Sequence, residues 1–335
     1  MAWSKLHAPQ WNTISVSGYH MREAGCTATQ EIAFTLSNGL EYLSQAIESG
    51  MIIDDVALRM SFFFGCHNDF FEEVAKFRAA RQLWHDLVTE RFEPTNPKSS
   101  MLRFHTQTAG VTLTAQQPLN NAVRVSYQAL SAVLGGTQSL HTNSYDEAIG
   151  LPTEESALLA LRTQQILAEE TNIPNSVDPL AGSYLVEELT YKLYQNSRDL
   201  IEEIDNLGGA MQCVIAGYQQ RHIHEAAWNQ LQSIEDGTTK VVGVNRFVDD
   251  ETSDMVGQVQ NPAIADSQCE NVREIIVKRD SVKADQCLRS IEKAMIDGSN
   301  LMEPLIEAFK AEITLGEVND VLRDNFGTWV APSGV

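Results

Sequence analysis

Three short apolar segments each lead into a histidine with hydroxyl or amide groups beside it: Ser17-Gly18-Tyr19-His20, His105-Thr106-Gln107-Thr108 and His141-Thr142-Asn143-Ser144. One histidine of this kind is most often a hydrogen-bonded structural residue. Three at equivalent places point to one converging polar site, because parallel α/β barrels build their active sites at the C-terminal ends of their strands. A metal centre would use His20, His105 and His141 as nitrogen ligands, with Glu23 or Glu147 as an oxygen ligand. That is the arrangement of a metal-dependent barrel hydrolase, which usually carries an H-x-H pair on one strand. Here the second position after His105 is Gln107, and after His141 it is Asn143. Amides are poor zinc ligands but good partners for hydroxyl-rich groups such as a ribose, so the residue types favour an organic ligand over a metal.

Other chemistries lack their signatures. The chain holds no G-x-S-x-G elbow, no G-x-x-x-x-G-K-[ST] phosphate loop and no G-x-G-x-x-G fingerprint. Its five cysteines (Cys26, Cys66, Cys213, Cys269, Cys287) are dispersed, which argues for reduced thiols in a cytoplasmic protein and against a structural zinc site. Cys26 and Cys66 read as core thiols. A formal charge of −21 disfavours nucleic acid and anionic membranes, both polyanions, as partners. It also makes any arginine near a candidate phosphate site conspicuous. No apolar run approaches the roughly 18 residues of a membrane span, and Met1–Trp11 has no apolar core of the kind a secretion signal needs.

The elements that would position these groups follow from periodicity. Asn12–Ser17 alternates as a strand, and a helix follows with Leu36, Leu40, Leu43 and Ile47 on one face and Gly50 beyond its end. Asp54 or Asp55 caps a further helix, and Asn68 or Asp69 caps a long one reaching about Arg91. After a polar loop at 93–100, Met101–Thr106 reads as the second strand. Pro118 opens a helix whose apolar face is Val123, Tyr127, Leu130 and Leu134. Gly135-Gly136 ends it, Thr137–His141 is a third strand, and Thr153 caps a helix to about Glu169. Strands alternating with helices predict parallel βα units in an α/β domain. Beyond 180 the pattern is helical over about 184–206, 208–232, 280–298 and 300–325. A short strand is expected at Lys240–Phe247, and an acidic, polar linker at 248–270.

These motifs carry a resemblance. Ser15–Ala24 (SVSGYHMREA), Arg59-Met60-Ser61-Phe62-Phe63, Ala75–Trp84, Leu102–Gly110 (LRFHTQTAG), Leu134–Pro152 (containing LHTNSYDEA), Asn175–Tyr184 and Val241–Phe247 resemble the methylmalonyl-CoA mutase family over nearly the whole chain. The resemblance implies a partial TIM (β/α)8 barrel, about its last three βα units, over residues 1–180. A mostly helical C-terminal region follows over 181–335. It implies a radical carbon-skeleton rearrangement of an acyl-CoA thioester with adenosylcobalamin. The cobalt–carbon bond breaks homolytically, a substrate hydrogen is abstracted, and the carbonyl-thioester group migrates to the neighbouring carbon.

Carried over by motif, His20 matches the family histidine beside the thioester carbonyl. Arg59, Met60 and Ser61 match the R-x-S contact to coenzyme A. Gln107, Asn143 and Glu147 match residues around the adenosyl group and corrin; Glu23, Gly110, Ala148 and Leu151 match other corrin-facing positions. His105 and His141 flank the site. Gln10 stands where the family pattern leads one to expect lysine, which removes one coenzyme A contact.

The resemblance also implies what is missing. By its pattern the chain starts at the sixth of eight strands, and no D-x-H-x-x-G motif for a cobalamin-binding domain occurs. A separate cobalamin-binding subunit is therefore expected, within a hetero-oligomer. The missing strands come either from a partner polypeptide or from an incompletely read gene start, and without them the chain is expected to be inactive and poorly folded. The competing reading is a non-catalytic fragment or partner-binding subunit.

Overall fold

The computed structural model describes residues 1–249 and 261–332 of the 335. It divides into two compact units, the larger spanning residues 9–258 with both extreme termini and the smaller residues 3–8 with 259–331.

The smaller unit holds α1 (Ala2–His7), with four later helices described below. The larger opens with β1 (Ile14–Ser17), α2 (Tyr19–Glu23), α3 (Ala28–Glu48), α4 (Ile53–Ala57), β2 (Met60–Cys66) and α5 (Phe70–Phe92). It continues with β3 (Phe104–Thr108), α6 (Asn120–Leu134), β4 (Ser139–His141), α7 (Glu154–Glu169), α8 (Tyr184–Asn206), α9 (Ala210–Ile215) and α10 (Tyr218–Glu235). The smaller is completed by α11 (Pro262–Lys278), α12 (Ser281–Ile296), α13 (Met302–Lys310) and α14 (Leu315–Phe326). Among the described residues no helix is long and apolar enough to cross a membrane.

Four strands, not the three expected, form one all-parallel sheet in the order β1-β2-β3-β4. The unexpected strand is β2. Its Met-Ser-Phe-Phe-Phe-Gly-Cys run is apolar at nearly every position, so period two is masked, and the helix caps on either side claimed the flanking residues. β3 lies two to three residues later than predicted, which places Gln107 within the strand instead of beyond it.

One face of the sheet buries Val16, Met60, Phe62, Phe64 and Phe104 against α3 and α5, whose Ile32, Leu36, Leu40, Phe77, Leu83 and Trp84 are fully enclosed. Helix α3 begins on Thr27, whose hydroxyl accepts from the Gln30 amide while the Gln30 side chain accepts from the Thr27 amide. Each such reciprocal cap satisfies two otherwise orphaned donors. Asp69 and Thr153 cap α5 and α7 as the sequence predicts.

Helix α6 departs from expectation. Its buried residues are Asn121, Val125, Gln128, Ala129, Ser131 and Ala132, while Val123 and Tyr127 stand 55% and 62% exposed. Small residues let the helix lie close to the sheet, and Gln128 turns inward because backbone groups need it. Its Oε1 accepts from the Ala109 amide at 3.0 Å and its Nε2 donates to Thr112 Oγ1 at 2.7 Å, which ties down the loop after β3.

The helix expected over 208–232 is broken at Ala216-Gly217 into α9 and α10. The one over 300–325 breaks before Thr314, which caps α14 with a second reciprocal box. Lys240–Phe247 forms an isolated bridge between Val242 and Arg246, not a strand. The expected linker at 248–270 lies outside the described residues over 250–260, and from Pro262 it is helical.

Candidate active site

Strand alternation gives the second face of the sheet a different character. Ser15 and Ser17 of β1, Ser61 and Phe63 of β2, His105 and Gln107 of β3, and Ser139 and His141 of β4 all point away from the helix-covered core, and none of them is buried. The register lines them up in rows. Ser15 is opposite Ser61; Ser17, Phe63, His105 and Ser139 cross the sheet at one level; Gly65, Gln107 and His141 cross it at the next. This is a polar stripe with an aromatic middle. Tyr19 stacks on Phe63 at 4.8 Å between centroids with planes 3° apart, and Phe63 meets His105 edge-on at 5.0 Å. His105 Nδ1 lies 2.7 Å from Ser139 Oγ, and His20 Nδ1 lies 3.2 Å from Ser17 Oγ.

Beyond the C-terminal ends of the strands, the side chains converge. Gln107 Nε2 donates to the Tyr19 hydroxyl at 2.7 Å and to Asn143 Oδ1 at 2.9 Å. The Asn143 amide donates to Thr108 Oγ1 at 2.9 Å, and the Val111 amide donates to Glu23 Oε2 at 2.8 Å. The loop after β4 is held by Asn121, whose Nδ2 donates to the Tyr145 carbonyl at 2.8 Å. These bonds assemble residues from three separate strand ends.

Gly110 lies at the centre of this assembly. A methyl there would come within 3.1 Å of Asn143 Nδ2, 3.1 Å of Glu23 Oε2 and 3.4 Å of Glu147 Oε1. Glu23 Oε1 and Asn143 Nδ2 are both buried with no hydrogen-bond partner. A buried unpaired acceptor and donor cost free energy that a ligand would recover. Burial raises the Glu23 carboxyl above its ordinary range, against the pull of the Val111 and Gly110 amides, and Glu147 adds to the rise. Glu147 is raised likewise, by burial and by Asp146. Burial also pushes the Tyr19 phenol up, and it holds His20, His105 and His141 below the usual imidazole range. The site therefore presents neutral imidazoles and a neutral phenol at pH 7.

The residues singled out from sequence divide into three groups. Glu23, Gln107, Gly110, Asn143 and Glu147 come together. His20 stands beside Tyr19 at the start of α2, and Ala148 and Leu151 follow Glu147 along the exposed loop. Arg59, Met60 and Ser61 lie at the other end of β2. Ser61 faces the polar stripe, with its Oγ donating to the Ile14 carbonyl at 3.4 Å, whereas the Met60 side chain is 2% exposed in the helix-facing core. Among the described residues, no three His, Cys, Asp or Glu side chains are placed to hold a metal ion. Cys26 and Cys66 are buried, and burial pushes both thiols up, as suits core residues.

Two participants escaped the sequence reading. Tyr19 sat inside a quoted motif but had no assigned partner; Gln107 supplies it across 88 positions of chain. Arg103 lies beside Arg59 at the N-terminal ends of β3 and β2, and that neighbouring cation and, above all, burial lower its pKa. Its guanidinium is anchored on the Ala57, Leu58 and Met60 carbonyls. Two adjacent arginines in a chain of charge −21 mark an anion-seeking end of the stripe. The signal available in the sequence was their equivalent position, each just before a strand.

A family model described as methylmalonyl-CoA mutase matches residues 1–328. The methylmalonyl-CoA mutase of Rhizobium meliloti (strain 1021) is 46% identical over 325 residues, which cover 96% of this chain and 46% of that protein. The Escherichia coli (strain K12) protein of the same name is 43% identical over 334 residues, 99% of this chain and 47% of that one. The mitochondrial methylmalonyl-CoA mutase of Homo sapiens is 43% identical over 327 residues, 97% of this chain and 44% of that protein. The chain thus spans less than half the length of the curated relatives it matches.

Proposed function

This chain belongs to the methylmalonyl-CoA mutase family, and from that premise we propose that it forms part of the catalytic subunit of an adenosylcobalamin-dependent acyl-CoA mutase. Its four parallel strands are half of an eight-stranded barrel carried by residues 1–180, and residues 181–335 are the helical region of the same subunit. The assembly is a hetero-oligomer in the cytoplasm with a cobalamin-binding subunit, and the remaining strands come either from a partner polypeptide or from residues of the same protein outside this sequence.

The observation that carries this reading is the bare Gly110 beside the buried, unpartnered side-chain amide nitrogen of Asn143 and beside the carboxyl of Glu23, whose other oxygen, Oε1, is buried and unpartnered. An acceptor and a donor flanking a space with no side chain suit an adenosyl group, whose ribose offers hydroxyls and whose base offers ring nitrogens. Glu23, Gln107, Gly110, Asn143 and Glu147 would hold it, with Ala148 and Leu151 against the corrin. When bound, adenosylcobalamin supplies the radical that removes a hydrogen from the substrate.

The residues of the chain then bind and orient. Coenzyme A lies along the polar stripe, its phosphates at Arg59 beside Arg103 and its arm over Ser61 and Ser15. From Arg59 to Gly65 is six residues of strand, roughly 20 Å at about 3.3 Å each, which sets the thioester beside His20. With Ser17 donating to Nδ1, the neutral His20 imidazole carries its proton on Nε2 and donates it to the thioester carbonyl while the group migrates. Tyr19, Phe63 and His105 wall the reaction space and exclude water.

The test combines the chain with a cobalamin-binding subunit and a polypeptide supplying the other strands. Corrin absorbance and conversion of methylmalonyl-CoA to succinyl-CoA are followed together. Both are expected only in the full mixture, with His20→Ala lowering turnover at least a hundredfold while corrin still binds. A completed barrel that binds no corrin and rearranges no acyl-CoA thioester would leave a non-catalytic, partner-binding role.

A further inference from the structure

At the C-terminal end of β2, around Gly65, lies a set of four buried charges that the proposed chemistry does not use. Glu31 of α3, Glu73 and Lys76 of α5, and Arg22 of α2 are 0%, 0%, 0% and 9% exposed. Lys76 Nζ lies 2.7 Å from Glu31 Oε2 and also contacts Glu73, Arg22 Nη2 lies 3.1 Å from Glu73 Oε1, and Arg22 Nε lies 3.9 Å from Glu31 Oε2. Two fully buried carboxylates face two buried cations, and the partly exposed Glu72 adds a third carboxylate 3.8 Å from Arg22 Nη2. Burial alone would depress the Lys76 ammonium, but the two carboxylates outweigh it and the lysine stays charged.

The strand ladder explains why charges sit there. The Phe62 amide donates to the Arg103 carbonyl and the Ala109 amide donates to the Cys66 carbonyl, so the even residues of β2 bond toward β3. The odd ones face β1, as the Gly18 amide donating to the Phe63 carbonyl at 2.7 Å shows. But β1 stops at Ser17, leaving both polar backbone groups of Gly65 aimed where no strand runs. Glu31 and Lys76 take that place. The Gly65 amide donates to Glu31 Oε1 at 2.6 Å, and Lys76 Nζ donates to the Gly65 carbonyl at 2.8 Å. In effect an ion pair substitutes for two residues of strand, and the space so released holds α2.

Helix α2 is clamped there by Arg22, which also donates to the Cys26 carbonyl. A methyl on Gly65 would lie 3.0 Å from Arg22 Cγ and 3.2 Å from its Cβ, so the bare glycine lets the helix approach. Arg22 and Met21 point inward, while His20 and Glu23, three residues apart, share the face toward the site.

We propose that Glu31, Lys76, Arg22 and Glu73 are positioning residues: the ion pair that replaces the end of β1 seats α2, and thereby fixes His20 and Glu23 over the polar stripe. A buried ion pair is weak evidence for stability, since isosteric apolar groups often do as well, but it can specify one arrangement. That is the role assigned here. The catalytic consequence rests on the mutase reading; the placement of His20 does not.

The test uses the full 335-residue chain with isotope-labelled histidine and glycine. In the unaltered chain, a short charge-assisted bond predicts a Gly65 amide proton well downfield of the other glycines, moved upfield by Glu31→Gln. Arg22→Gln, which keeps a donor for Cys26 but removes the charge, should shift the His20 ring signals and leave His85 and His224 unmoved, with the thermal midpoint within a few degrees. Arg22→Lys should restore them. The double change Glu31→Gln with Lys76→Met serves should Arg22→Gln fail to fold. In the completed mixture Arg22→Gln should lower kcat about tenfold with KM within twofold. Unmoved His20 signals in every folded variant would overturn the positioning role whatever the turnover. Shifted signals with no turnover in the unaltered mixture would overturn the mutase reading and leave the positioning role standing.

Discussion

At Gly110 a single methyl would already meet the side chains of Asn143 and Glu23. No positive φ is imposed on it, so alanine suits the backbone and should leave stability within about 1 kcal/mol of the parent. Its methyl would nevertheless stand 3.1 Å from Asn143 Nδ2 and Glu23 Oε2, in the space a ligand would fill. Gly110→Ala is therefore expected to weaken corrin binding in the completed assembly at least tenfold, about 1.4 kcal/mol, with an unchanged melting curve. Equal affinity by absorbance titration would show that nothing occupies that space. Gln107 and Asn143 stood out in the sequence because strand-end amides beside histidines announce a polar ligand, whereas Glu147 was placed there by the family resemblance. Tyr19 was not, because its role depends on a contact that chain folding creates.

Among elements, α3 carries the clearest local signal and the most testable one. Thr27 and Gln30 cap it reciprocally, its buried Ile32, Leu36 and Leu40 join the core against the sheet, and Phe34 packs apart from it on Tyr218. Thr27→Ala should cost about 1 kcal/mol, read as a lower urea midpoint at constant slope, while Thr27→Ser should recover most of it. An unchanged midpoint would mean the cap contributes nothing beyond what water supplies. Where element prediction failed, competition between local rules and tertiary contacts explains it. Strand β2 has no visible alternation because both of its faces meet aromatic rings, Trp84 edge-on to Phe62 and Tyr19 flat on Phe63. Helix α6 buries Gln128 and exposes Tyr127, because the loop after β3 needs an amide more than the core needs another ring. No periodicity rule contains that preference.

Taken whole, the molecule carries a formal charge of −21, and self-repulsion of that size opposes the compact state. Raising monovalent salt from about 0.01 M to 1 M shortens the screening length from about 30 Å to about 3 Å, so the thermal midpoint of the isolated chain should rise by several degrees. A flat or falling midpoint would mean that its ion pairs, Arg22 to Glu73 and Arg78 to Glu187 among them, outweigh the net repulsion. Among the described residues the sheet has β1 at one edge and the exposed three-residue β4 at the other. By itself the sequence determined the parallel α/β class, several helix starts and the polar residues of three strand ends, since hydrophobic period, caps and side-chain chemistry are local properties. Only the tertiary structure decided that Gly65 lacks a strand partner on its β1 side and receives Glu31 and Lys76 there instead, that Arg103 stands beside Arg59, and that Met60 turns from the site into the core. Those outcomes depend on where neighbouring strands stop and which face each one turns inward, and both are settled by packing between segments far apart in the chain.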